Sequence, residues 1–193
     1  MRDTRIVEGT LDRFITECRA MAEARVDPAD VVVAVAPLMK RLVGGDKAFL
    51  RAEHLRSHPD HYARNAIYVS EDESLSLYAL VWLPGQWTPV HDHGSWGAVG
   101  VVHGMLEERS FMSADGAIRA DSGIRLKRGG VVLLDSGSVT TFVPDPDHIH
   151  MSGVAAHGDR VVSLHLYGRN MNSFHVYDVA AGTRRFMDVA VSR

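Results

Sequence analysis

Two histidines one residue apart, His91 and His93, are the first residues whose types and spacing could do chemistry. They close the segment Gly85-Gln86-Trp87-Thr88-Pro89-Val90-His91-Asp92-His93. Side chains alternate along a strand, so both imidazoles take one face and Asp92 the other. Two imidazoles on one face can share a metal at about 2.0–2.2 Å. A third could come from His148 or His150 in Pro146-Asp147-His148-Ile149-His150-Met151. These two share a face in an extended segment, so alternation does not choose between them. His148 reads as a solvated loop residue beside Asp147, while His150 sits deeper in the strand start.

Two further groups stand out. In Val161-Val162-Ser163-Leu164-His165-Leu166-Tyr167, a strand puts Ser163, His165 and Tyr167 on one face and the aliphatic residues on the other. A hydroxyl, an imidazole and a phenol in a row can relay orientation: Ser163 sets the tautomer of His165, which positions the Tyr167 hydroxyl. The plainer reading is an exposed strand face with mixed polar residues. In His61-Tyr62-Ala63-Arg64-Asn65, Arg64 offers a permanently charged fork that matches a carboxylate. The plainer reading there is a surface salt bridge.

The elements that must position these groups differ along the chain. Leu11, Phe14, Ile15, Cys18, Met21 and Ala22 recur at helical steps and predict an amphipathic helix. Asp27 and Pro28 suit the start of a second helix, interrupted or restarted at Pro37 and ending near Gly44-Gly45. The pattern predicts a third short helix over 46–56. From Asn65 onward, short runs rich in β-branched residues are separated by Gly, Pro and Asp turns, which predicts an antiparallel sandwich or barrel. The fold class is therefore mainly β with an N-terminal helical region. The 193 residues read as a single domain, helical over 1–60 and a β-barrel over 61–193.

Composition removes several functions. With 21 Lys plus Arg against 24 Asp plus Glu, the net charge of −3 does not suit nucleic-acid binding, so no nucleic-acid partner is expected. An apolar share of 46% excludes a disordered chain. The longest apolar run, Val31 to Met39, is far short of the roughly 20 residues of a spanning helix, so no membrane partner is expected. The one cysteine, Cys18, cannot form an internal disulfide, which fits a reducing, cytoplasmic setting. No oligomeric state follows, and a monomer is compatible with all of this.

The segment from Gly85 to Gly104 resembles the first cupin motif, a glycine, five residues and H-x-H, but the usual glutamate position falls on Gly97. The three groups together resemble the bacterial thiol dioxygenases, cysteine dioxygenase and 3-mercaptopropionate dioxygenase, from about Tyr62 to about Asp178. That resemblance implies a cupin, a double-stranded β-helix or jelly-roll barrel. It implies one Fe(II) per chain, O2 as co-substrate, and a small carboxylated thiol oxidised to a sulfinate. It matches His91, His93 and His150 to the three metal ligands, and Ser163, His165 and Tyr167 to the outer triad. Tyr62 and Arg64 match the segment that holds the substrate carboxylate. Animal cysteine dioxygenases carry a cross-linked cysteine where Ala98 stands here, so no cross-link is expected. Arg64 looks like the cysteine branch, and the segments around Trp87 and Trp96 like the mercaptopropionate branch. The rival readings are a three-histidine cupin that cleaves carbon–carbon bonds and a non-catalytic cupin that binds a metal or small ligand.

Overall fold

Helix α1 (Thr4–Glu23) buries Phe14, Ile15 and Cys18 along the stripe that the helical spacing predicts. Helix α2 (Pro28–Gly44) starts where the Asp27 carboxylate accepts the Ala29 N–H at 2.9 Å, with Pro28 in its first turn. It runs through Pro37 without a break. Proline removes the hydrogen bond to the carbonyl four residues earlier, and that residue, Val33, is 74% exposed, so water can take the bond's place. These helices belong to a computed structural model that describes residues 4–144 and 148–189.

The third helix is shorter than its pattern. Only a 3-10 turn, Ala52–Leu55, forms in that stretch. Asp46 accepts the Ala48 N–H at 3.0 Å, and His54 Nδ1 accepts the Arg51 N–H at 3.2 Å. Such local side-chain bonds offer the backbone an alternative to continuous helix.

The rest is β. The strands are β1 (Ala63–Val69), β2 (Ser76–Trp82), β3 (Val90–His91), β4 (Gly97–His103), β5 (Met105–Ser113) and β6 (Leu126–Asp135). They continue with β7 (Val139–Phe142), β8 (Ile149–Gly153), β9 (Val161–Tyr167), β10 (Ser173–Asp178) and β11 (Thr183–Asp188). Among the described residues they form two antiparallel sheets, a five-stranded one ordered β1-β2-β9-β4-β7 and a six-stranded one ordered β11-β10-β3-β8-β5-β6. This is the mainly β, double-stranded β-helix architecture of a cupin, with two helices ahead of it.

The five-stranded sheet is covered on both faces, and β2 and β9 are buried at every position. Leu77, Ala79, Ala98, Leu164 and Leu166 meet the helices, with Cys18, Val35 and Met39 in the same cluster. Tyr78, Leu80, Trp82, Val99 and Tyr167 point the other way, into the space between the sheets. Burying a leucine, valine or methionine side chain contributes about 1.5–3 kcal/mol, so the helical layer adds substantially to the sheet's stability. Among the described residues, no helix is long and apolar enough to cross a membrane.

Candidate active site

The sheet register brings the histidines together. His91 in β3 stands directly opposite His150 in β8. The chain ahead of β3 is tied to β8 as well: Thr88 N–H donates to the Ser152 carbonyl at 2.8 Å, and Ser152 N–H donates to Thr88 Oγ1 at 2.9 Å. His93 lies just past β3, before Gly94, whose φ of +55° favours glycine. Ring centroids of His91 and His93 are 4.8 Å apart, those of His91 and His150 4.7 Å, and those of His93 and His150 4.9 Å. The three offer nitrogen atoms that all lie within 4.8 Å of one another.

All three rings are buried. Burial pushes the His91 and His150 pKa values down to about 3 and that of His93 well below its usual value. Neutral imidazole with a free lone pair is the form that binds a metal. The Nδ1 of His91 lies 3.0 Å from the Pro89 carbonyl, which can only accept, so Nδ1 carries the proton and Nε2 the lone pair. His93 Nδ1 is buried with no hydrogen-bond partner among the described residues. Three neutral, convergent imidazoles, two of them (His93 and His150) with an orphaned Nδ1 among the described residues, fit a divalent metal.

Asp92 takes the opposite face, as alternation requires. It accepts from Tyr177 Oη at 2.8 Å and from the His175 backbone N–H at 3.1 Å, and it lies 3.2 Å from His175 Nδ1. It therefore ties the H-D-H segment to β10.

Gly97 explains the missing cupin glutamate. A Cβ at this position would lie 2.2 Å from Cζ of Phe142. The Phe142 ring occupies that space and stacks on His93, with centroids 4.2 Å apart. No side chain fits at position 97 unless this ring moves and the Leu166 carbonyl oxygen, 2.8 Å from that Cβ, also gives way.

The second row of residues hangs from β9. Ser163 Oγ is 2.9 Å from His165 Nε2, and Tyr167 Oη is 3.3 Å from His165 Nδ1. All three are buried, which overturns the plainer reading of an exposed strand face. Burial keeps His165 neutral and pushes the Tyr167 phenol above its usual range. Pattern alone did not single out Trp82, whose Nε1–H donates to Ser163 Oγ at 2.9 Å. It sits in an all-apolar strand, where an indole looks like any other core residue.

Arg64 is on β1, which begins earlier than its apolar run suggests, and it pairs with Leu80 of β2. Its guanidinium lies 3.7 Å over the Tyr78 ring, and Nη2 donates to the Met171 carbonyl. The surface salt-bridge reading therefore does not hold. Tyr62 stacks on Trp82 at 4.7 Å. Tyr62, Arg64, Trp82, His91, His93, His150, His165 and Tyr167 all line one small cavity between the sheets.

Other residues depart from their patterns. His148 is not a solvated loop residue: its side chain is 25% exposed, stacks on Phe142 with centroids 5.1 Å apart, and approaches Glu108. Asp147 lies outside the described residues. Glu108 of β5, 6% exposed, stands beside both His148 and His150. Burial raises its pKa, and His148 acts the other way. Spacing could not reveal it, because only the β5–β8 pairing brings it there. Ala98 faces the helices with Cys18, whose thiol burial pushes up to about 12, while Tyr167 belongs to the cluster between the sheets.

Several solved structures are similar in fold. A protein with a double-stranded β-helix domain from Klebsiella pneumoniae is 13% identical, covering 75% of this chain and 99% of its own, with a TM-score of 0.47. An RmlC-like cupin protein from Ralstonia eutropha is 12% identical, covering 69% and 72%, with a TM-score of 0.46. At the sequence level, the profile of cysteine dioxygenase type I matches residues 25–180, from the end of α1 to just past β10. That stretch takes in both rows of cavity residues, and the chain belongs to the cysteine dioxygenase type I family.

Proposed function

We propose that this protein is an iron-dependent dioxygenase of a small carboxylated thiol, cysteine or 3-mercaptopropionate. One observation carries the reading: three neutral imidazoles, an arginine, His165 and Tyr167 line the same cavity, with Ser163 bonded to His165 behind them. His91, His93 and His150 would hold Fe(II). When bound there, the ion supplies a cationic centre with open positions where a thiolate and O2 can meet.

The remaining chemistry belongs to the chain. Arg64 binds the substrate carboxylate and fixes the sulfur relative to the imidazoles, a positioning role. Its stacking on Tyr78 and its bond to the Met171 carbonyl hold the guanidinium in one orientation before substrate arrives. Tyr62 and Trp82 form an apolar wall beside it.

The hydrogen-bond row has a direction. An indole N–H can only donate, so Ser163 Oγ accepts from Trp82. Of the two side chains bonded to Ser163 Oγ only His165 can accept, so the buried Ser163 proton goes to Nε2 of neutral His165. That leaves the His165 proton on Nδ1, donated to the Tyr167 oxygen. The Tyr167 O–H is thus free to donate into the cavity, toward substrate or O2. In the overall reaction the sulfur is oxidised and O2 reduced, both oxygen atoms ending on sulfur. The thiol loses its proton, the product is a sulfinate, and no external reductant is required. A carbon–carbon-cleaving reaction would leave the Arg64 anchor and this row without a task.

The test is O2 uptake by the iron-loaded protein with cysteine, 3-mercaptopropionate, mercaptosuccinate and cysteamine. Uptake equimolar with sulfinate is expected for a carboxylated thiol, with cysteamine, which lacks the carboxylate, the poorest substrate. No uptake with any of the four overturns the proposal.

A further inference from the structure

The ligand set lacks the usual cupin carboxylate, yet a buried carboxylate stands directly behind it. Glu108 lies on β5 opposite Ser152 of β8, and Ser110 lies opposite His150. Side chains two apart on a strand share a face, so Glu108 and His150 are diagonal neighbours on the same face. Glu108 Oε2 and His150 Nδ1 approach to 3.2 Å. The pair is out of line, and neither atom has a hydrogen-bond partner among the described residues. An unpaired buried polar atom is costly, and a small turn of the ring would satisfy both atoms at once.

We infer that Glu108 is a positioning residue for His150: it accepts the Nδ1 proton and so holds the ring with its Nε2 lone pair toward His91 and His93. The same arrangement is already formed at His91, where the Pro89 carbonyl takes the Nδ1 proton. At His150 the acceptor is a carboxylate. Carboxylate partners of this kind orient a metal-binding imidazole, and their loss typically weakens metal binding by about 10- to 100-fold. The register protects the contact, because a slip of one residue between β5 and β8 would turn Glu108 out of the interior. His148 reaches the other oxygen, with Nε2 3.7 Å from Oε1, and its Nε2 is also unpartnered among the described residues. Glu108, His148 and His150 could therefore instead be a separate cation site.

This inference rests on the metal reading of the three imidazoles, and binding of Co(II) alone separates the two. Anaerobic chelator competition would give the affinity, the visible Co(II) spectrum the ligand geometry, and circular dichroism of the metal-free protein a check on folding. Glu108→Ala is expected to bind Co(II) about 10- to 100-fold more weakly, with an altered spectrum. Glu108→Gln keeps an acceptor oxygen and is expected to stay within about threefold of the parent protein, so it serves as the rescue and as the better-folded variant. Parent-like affinity and spectrum in Glu108→Ala would overturn the positioning role and leave the three-imidazole site intact. Failure of the parent protein to bind Co(II) would overturn both. Two equivalents in the parent, falling to one in His148→Ala, would replace the positioning role with the separate site.

Discussion

The two sheets divide the cavity between them. The six-stranded sheet carries His91 and His150, with His93 just beyond its β3 and Glu108 behind. The five-stranded sheet carries Arg64, Trp82, Ser163, His165 and Tyr167. They are also held differently. The five-stranded sheet has helices on its outer face, so its polar residues are gathered on one inner row of an otherwise apolar strand. On the six-stranded sheet, β6 is exposed along most of its length, and Val131, Val132 and Leu133 all meet solvent. The division suggests separable tasks, with metal retention on one sheet and substrate handling on the other.

The largest effect should come from the six-stranded side. His150→Ala or His91→Ala removes one of three imidazoles, and metal affinity should fall by more than the roughly 100-fold that loss of an outer partner can cost. Metal analysis after gel filtration checks this, and His148→Ala is the comparison that should retain metal. If His150→Ala keeps its metal and His148→Ala loses it, the two histidines have exchanged roles. Arg64→Ala should do the reverse. Metal content stays unchanged, while KM for a carboxylated thiol rises about 10- to 100-fold, the worth of a charged hydrogen bond of about 1.5–3 kcal/mol. If metal is lost in Arg64→Ala, the division between the sheets fails.

How far the sequence reached follows a different division, between local pattern and the pairing of distant strands. β9 was legible because alternation alone separates Ser163, His165 and Tyr167 from Val162, Leu164 and Leu166. The two long helices were legible from spacing and from the Asp27-Pro28 start. The H-x-H pair was legible even though β3 is only two residues long. What stayed hidden depends on pairing between distant strands. Glu108 reaches His150 only through the β5–β8 register, and Phe142 fills the space beside Gly97 only because β7 pairs with β4. The choice between His148 and His150 had the same obstacle, since both satisfy alternation and only the cross-strand partner of His91 distinguishes them.

On the five-stranded side, two smaller effects test whether its polar row acts as one unit. Tyr167→Phe should leave metal content and KM close to the parent values and lower kcat about tenfold, since only the donated O–H is lost. Trp82→Phe should act in the same direction through the row, at about threefold. The indole N–H on one lone pair helps turn the Ser163 O–H toward His165 Nε2; without it the hydroxyl can rotate and accept from Nε2 instead. His165 Nδ1 then becomes an acceptor and draws the Tyr167 O–H away from the cavity. Trp82 is fully buried, so the smaller ring also leaves a void and lowers stability. Loss of stability alone would not lower kcat in the folded protein, and a second substitution separates the two effects. Ser163→Ala breaks the same row one bond further on, so the double variant should lose no more kcat than the worse single one, as expected for residues that share one network. Independent, multiplying losses, or a Trp82→Phe protein with parent-like kcat and only a lower melting temperature, would mean that Trp82 is cavity wall and the direction of the row is set elsewhere.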